Sequence, residues 1–281
     1  MPLTRKYYFG RLNTIAEYGD YDEKEEMLYG IISSSAIFNY YGYNYTFVEP
    51  EKIEAEYGET FITAFLVKYS ELGEDETVNP EEQSLESETV ENKTKAKVRY
   101  FLNPKTGLLV YHASGNDLRQ KQFRKRFEDL VEASKKEGFI QASIQTVTDE
   151  YEIFEQLDKF QAIRRLEVSL HPSNPNTNPT WDEVDEDLKD KNVNTYIEKF
   201  QSEDGLNVKD DDEVRSKLSM ANDGYGKGEF EGIDEDGEEK VVATEDQPTT
   251  SEVPREEQDP SGILEYLSEP IQSIMGRFTN D

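Results

Sequence analysis

Arg165, Glu167 and His171 alternate along the stretch Ala162 to Phe200, AIRRLEVSLHPSNPNTNPTWDEVDEDLKDKNVNTYIEKF. A guanidinium, a carboxylate and an imidazole on one strand face, beside a Ser173/Asn174 loop, can bind an anion or exchange protons. The same trio also serves as a hydrogen-bonded polar face. Downstream, Asp182, Glu183, Asp185, Glu186 and Asp187 are the ligand types of a magnesium-dependent nuclease. Near-consecutive acids on a helix point around its axis, so they suit a solvated face and the positive helix N-terminus better than one metal site.

Other chemistry is thinly represented. Two His and no Cys argue against a multi-His or thiolate metal site, and no metal or cofactor is expected. A lone His112 at a strand end reads as a hydrogen-bonded residue. There is no G-x-S-x-G elbow, Walker loop or H-E-x-x-H. Gly224, Gly226 and Gly228 imitate a phosphate loop but lead into a strand. Glu91 and Lys93 form an E-x-K pair inside an acidic run, which gives it no weight as a nuclease signature.

One concentrated basic surface is expected. A helix from Asn116 or Asp117 to about Lys136 buries Phe123, Phe127, Leu130 and Val131, with Lys121, Arg124 and Lys125 opposite and Arg119 and Arg126 flanking. Glu128 and Asp129 partly neutralise it in the weaker, basic-before-acidic order. A partner bearing phosphates or carboxylates is the functional reading, and a solvated face the plain one.

The elements positioning these residues follow from periodicity. Arg164, Leu166, Val168 and Leu170 form the inward set of a strand ending at His171, since Pro172, Pro175 and Pro179 interrupt any ladder. Thr180 and Glu183 make a capping box for a helix from Trp181. Val193, Tyr196, Ile197 and Phe200 have the spacing of a second short helix. Before this stretch come a strand at Arg5–Asn13, a helix at Asp22–Ser35 capped by Asp22, an aromatic β segment at Ile37–Glu49 bent at Gly42, and a doubly buried strand at Phe61–Tyr69. The clustered tyrosines before Glu71 suit a sheet or core better than base stacking. Lys97–Leu102 and Leu108–His112 make a hairpin around Asn103-Pro104-Lys105-Thr106-Gly107. A strand at Phe139–Val147, a short helix capped by Thr148 or Asp149, and the central strand have the spacing of a parallel crossover. A weak helix then ends at Asn222-Asp223-Gly224, and Glu229–Ile233 pairs with Lys240–Thr244.

The fold class expected is α+β, a mixed sheet built from βαβ-like units with helices largely on one side. The chain divides into an aromatic-rich half (1–70), a disordered acidic insertion (71–92), a second α+β half (93–244), an acidic linker (245–260) and a short amphipathic docking segment (261–281). That last segment presents Ile263, Leu267, Ile271, Ile274 and Phe278 to a partner or a second copy.

With 61 acidic and 31 basic residues the net charge is −30, which repels nucleic acid and anionic lipid. Solubility, a host with high internal salt, and mimicry of DNA charge all remain open explanations. No apolar run is long enough to span a bilayer and no signal segment is seen, so a cytoplasmic protein without membrane association is expected.

The run Leu170-His171-Pro172-Ser173-Asn174-Pro175, Trp181 and Gly224-Tyr225-Gly226 resemble uncharacterised prokaryotic proteins of mobile elements and anti-phage defence loci, over roughly Lys97 to Thr244. The resemblance implies a setting in antiviral defence, as a nucleic-acid-associated or toxin-like component. Two functions are therefore expected. One is a non-enzymatic interaction protein binding nucleic acid or a partner protein through the basic helix. The alternative is a metal-dependent nuclease or related enzyme using the polar strand face near His171.

Overall fold

The structure is a computed structural model describing residues 3–16, 21–79, 84–113, 115, 117–134, 139–173 and 178–278. Asn116, Lys136, Asn174 and Pro175, invoked above, lie outside the described residues. The chain runs β1 (Thr4–Ala16), α1 (Tyr21–Ile32), β2 (Phe38–Tyr40), β3 (Tyr43–Glu54), β4 (Thr60–Asn79), β5 (Ser84–Leu102), β6 (Leu108–His112), α2 (Gln120–Ala133) and β7 (Phe139–Thr146). It continues α3 (Glu150–Asp158), β8 (Phe160–Leu170), α4 (Asp182–Asp190), β9 (Tyr196–Leu206), α5 (Asp212–Met220), β10 (Gly226–Asp234), β11 (Glu239–Ala243), β12 (Thr250–Pro254) and α6 (Pro260–Gly276).

These elements form two antiparallel sheets in an α+β fold. The larger has the order β12-β1-β6-β5-β4-β3-β2, with β7 also paired to β1; the smaller is β11-β10-β8-β9. β1 is long enough to serve three partners. Residues Thr4 to Tyr8 pair with β12, Gly10 to Ala16 with β7, and Tyr7 to Arg11 with β6. At the junction Phe9 donates its N–H to the Thr249 carbonyl and accepts from the Val147 N–H.

Alternation explains why β4, β5 and β6 are apolar on both faces. Tyr100, Leu102, Leu109 and Tyr111 face α1 and α2, where they meet Leu28, Ile31, Phe123 and Phe127. Phe101, Leu108 and Val110 face the other way, with Tyr7, Phe9 and Phe61, onto α6. A third core joins β8 and β10 to α3, α4 and α5 around Trp181.

Several expectations are corrected. β7 and β8 belong to different sheets, and every strand pairing among the described residues is antiparallel, so the strand–helix–strand passage is not a βαβ unit. Helices cover both faces of the larger sheet, not mainly one. That sheet also runs across positions 70 and 93, where the sequence suggested boundaries. Tyr196–Phe200 is strand β9, because pairing with β8 leaves Tyr196, Glu198 and Phe200 facing alternately to Ile197 and Lys199. Gly42 serves a tight turn, not a bent strand: Tyr41 and Gly42 both have positive φ, the requirement of a two-residue I′ hairpin. In β8 the inward position falls on Ile163 and leaves Arg164 exposed, because the ladder skips a register between Ile163 and Arg165. α1 begins at Tyr21, which puts Asp22 in its first turn and not at the cap.

Residues 71–79 and 84–92, expected as a disordered insertion, are paired from Leu72↔Glu91 to Asn79↔Ser84. They extend β4 and β5 beyond the sheet as a two-stranded ribbon. Residues 250–254 of the expected linker are β12.

The C-terminal segment is not a tethered docking element. Asp259 caps α6 by accepting from the Gly262 N–H at 3.0 Å, and Pro260 occupies the helix start, where its missing N–H costs nothing. Ile263, Leu267, Ile271 and Ile274 are all at least 99 % buried against the chain's own sheet. Leu267→Ala should therefore destabilise the whole protein by about 2–5 kcal/mol, read from the denaturant midpoint. A midpoint unchanged by that substitution would contradict the packing.

Candidate functional site

The expected basic surface of α2 is largely internal. Arg124 is buried and donates to Thr146 Oγ1 at 2.6 Å and to Glu245 at 3.4 Å. Arg126 is buried, pairs with Asp129 and lies 3.5 Å over the Tyr40 ring. Lys125 is exposed but paired with Asp129 at 3.0 Å, so Arg119, Lys121 and Lys125 are the exposed cations of the helix. The cap also differs, since the Arg119 N–H donates to the Gln122 side chain while Asp117 receives Lys68. Periodicity located the helix but not these partners, which arrive from β2, β7 and the segment after β11.

The strand-face trio is not gathered into one site. Arg165 meets Glu167 at 2.7 Å and Glu229 at 3.5 Å on the open face of the smaller sheet. His171 lies beyond the strand end and lines a cleft of ≈ 250 Å³ between the two sheets. One wall is Asn13 and Thr14 of β1 with Gln141 and Ser143 of β7; the other is His171 to Ser173, Lys189 and the turn after α4.

That second wall is tightly made. The buried Asp185 carboxylate accepts from the Ser173 N–H at 2.6 Å and from the Ser173 hydroxyl, and pairs with Lys189 at 2.6 Å. Lys189 also donates to Ser173 Oγ at 3.0 Å. Of the acidic run, then, Asp185 is the buried member, an anchor of the Pro172-Ser173 loop. Past α4, Asn192 takes a positive φ, and the N–H groups of Asn192 and Val193 return to the carbonyls of Lys189 and Leu188. This Schellman closure occupies the carbonyls at the negative end of the helix. His171 Nδ1 lies 3.1 Å from the Asn194 carbonyl, a contact in which the ring nitrogen must donate.

Asn13 of the cleft wall donates to the Gly224 carbonyl at 2.8 Å, which ties the cleft to a buried polar centre where the sequence suggests a simple turn. Asp223 is 2 % exposed, and its carboxylate accepts from Trp181 Nε1 at 2.8 Å, Asn178 at 3.0 Å and Arg277 at 3.0 Å. Its carbonyl accepts from Arg11 Nε at 2.5 Å, while Arg11 also donates to the Thr106 carbonyl at 2.6 Å. The Arg11 guanidinium lies against the rings of Tyr225 and Phe278, at 4.7 and 4.6 Å, the two rings being set edge to face. Beside it burial and the Arg11 charge push the Lys24 ammonium down to about 8. Gly224 permits the approach: its φ is +85°, and a Cβ there would sit 2.6 Å from Arg11 Cβ. The only signals in sequence were the single Trp and the Gly-Tyr-Gly run. Asp223→Asn should cost about 1.5–3 kcal/mol, because the half-buried Arg277 keeps only the Thr148 carbonyl in place of its counter-charge. Denaturation showing a loss below 1 kcal/mol would mean that the pair is dispensable.

His112 lies apart from the cleft, against the Tyr7 ring at 5.6 Å. Burial, reinforced by Arg5, pushes its pKa down to about 4. The unfolded chain takes up this proton from about pH 6.5 downward and the folded chain only near 4. The stability it confers is complete above 6.5 and is lost as pH falls through that window, on the order of 2 kcal/mol. Wild type should lose more unfolding free energy than His112→Gln between pH 7 and 4.5; equal losses would refute the assignment.

Comparison with curated proteins gives no match. The described elements extend from β1 to α6, and one family model spans nearly the same interval. Matching the model described as Domain of unknown function (DUF4747) over residues 5–269, the chain belongs to that family.

Proposed function

We propose that the chain is a non-enzymatic interaction protein whose ribbon, residues 70–79 and 84–95, docks on a cationic surface of a partner protein. The observation carrying this reading is the ribbon itself. β3 leaves β4 after Tyr69 and β6 joins β5 only at Tyr100, so the strands between pair solely with each other. Ten residues of strand project roughly 30 Å. Glu71, Glu74, Asp75, Glu76, Glu88 and Glu91 are exposed along it, as is Leu72. A two-stranded ladder is marginal alone, and Asp75 stands directly across from Glu88, a like-charge pair that Lys93 of the same ribbon relieves only on the Asp75 side. Cations from a partner would relieve that repulsion, and the open strand edges offer backbone groups for pairing.

The alternative of a nuclease near His171 is less well supported, since Arg165 and Glu167 are engaged with each other and with Glu229 and Glu231 outside the cleft. The setting in antiviral defence or on a mobile element rests on the resemblance of the His171-Pro172-Ser173 loop, Trp181 and Gly224-Tyr225-Gly226. A cytoplasmic location belongs to the same proposal. No helix among the described residues is long and apolar enough to cross a membrane.

The test is a ribbon variant with residues 73–91 replaced by Asn-Gly. It should keep the near-ultraviolet circular dichroism and melting temperature of the parent. A partner captured from the native host and reconstituted in purified form should bind the parent and lose most affinity for the variant, with a steep salt dependence for the parent alone. Undiminished binding by the variant would end the proposal. DNA or RNA binding at low salt that disappears with Lys121→Gln and Lys125→Gln would place recognition on α2 instead.

A further inference from the structure

We infer that the cleft between the two sheets binds a small hydroxylated molecule carrying an oxyanion, with Lys189 and Thr14 as donors to the anion and His171 as an acceptor for its hydroxyl group. The inference stands on different residues from the ribbon and survives or fails independently of it.

The composition of the cleft is the first observation. Eleven residues line it and none is Asp or Glu, in a chain where 61 of 281 residues are acidic. Its two titratable members are Lys189 and His171, and its amides and hydroxyls come from Asn13, Gln141, Ser143 and Asn194. Neutral amides and hydroxyls around a cationic end suit a polar body with an anionic head.

Donor accounting is the second. Lys189 has three N–H groups and commits two, to Asp185 and Ser173, while its side chain stays 39 % exposed. The ammonium is thus already fixed in place, and binding would not have to immobilise a free lysine. His171 spends its Nδ1–H on the Asn194 carbonyl, so Nε2 of the neutral ring is an acceptor, suited to a hydroxyl on the body of the ligand and not to its anionic head. The Schellman closure of α4 takes up two carbonyls that would otherwise repel an anion there.

Thr14 supplies an independent sign. It is 8 % exposed, lines the cleft, and its Oγ1 is buried with no hydrogen-bond partner. A buried hydroxyl left unpaired costs free energy in the unliganded protein. Turned about χ1 toward the cleft, the hydroxyl would donate to a ligand oxygen at that wall.

Titration of the full-length chain, followed by amide NMR and calorimetry, tests this with ribose 5-phosphate, inorganic phosphate, malate and ribose as probes. Saturable binding is expected for ribose 5-phosphate or malate, with shifts at Asn13, Thr14, Gln141 and Asn194, and none for ribose. The two anions separate phosphate from carboxylate recognition, and inorganic phosphate shows whether the head suffices. Lys189→Gln and Thr14→Val should each weaken binding about tenfold or more. Thr14→Val should leave the melting temperature unchanged or higher, because the hydroxyl it removes has no partner. Absence of saturable shifts at the cleft with every anion, or binding that both variants retain, would overturn the inference.

Discussion

The Asp223 carboxylate is the interaction on which the arrangement of the two sheets depends. The backbone carbonyl of the same residue joins Arg11 of β1 to a turn 212 residues later, while the carboxylate brings Trp181 and Arg277 to the same point. A buried carboxylate is tolerable only when its lone pairs are filled, and here three side-chain donors fill them. The turn must also come close enough for its Asp223 carbonyl to take Arg11. Gly224 allows that, since any side chain would strike Arg11. No strand pairing joins the larger sheet to the smaller one among the described residues, so this polar centre and the rings against Arg11 hold the two together. The cleft is a consequence of that setting.

Much of the fold was legible because its apolar patterns are local. The Phe123, Phe127, Leu130 and Val131 stripe, the hairpin around Asn103 and Gly107, and the doubly apolar strand from Phe61 each declare themselves within a dozen residues. Asn103 even holds its turn as its side-chain type suggests, with Oδ1 accepting from the Thr106 N–H at 2.8 Å. Failure came where two periods overlap. Val193, Tyr196, Ile197 and Phe200 satisfy a helical spacing, yet Tyr196, Glu198 and Phe200 satisfy a strand equally, and the free edge of β8 decides between them. Residues 71–92 failed for another reason. Their composition carries no hydrophobic signal, whereas the ladder is made by backbone groups that composition does not record.

The candidate site was legible only on one side. His171 stood out because a strand ends there in a proline-stiffened loop, and Asp185 was noticed, though for its number and not its direction. Thr14, Gln141 and Lys189 gave no signal, since the cleft exists only when β1 and β7 meet the far end of α4. Asp223 was hidden inside Asn-Asp-Gly, a run whose ordinary meaning is a solvent-exposed turn. What the turn does here is set by Arg11 and Arg277, near opposite ends of the chain.

The charge of the molecule is distributed against its composition. Among the described residues, Arg11, Lys24, Arg124, Arg126 and Lys217 are buried, against only Asp185 and Asp223 of the acids. Cations reach the interior because their stems are apolar and their heads can find carbonyls, hydroxyls and ring faces, as Arg11, Arg124 and Arg126 do. A carboxylate lacks such a stem and needs several donors converging on it. The surface is consequently more acidic than a net charge of −30 suggests, and its field repels nucleic acid and anionic lipid at long range. Against that background the ribbon differs less in its density of acid than in projecting its exposed carboxylates clear of the sheet, where a partner's cations would meet them. The cleft, from which acid is excluded, is a local exception that a small anion can reach where ionic strength screens the approach.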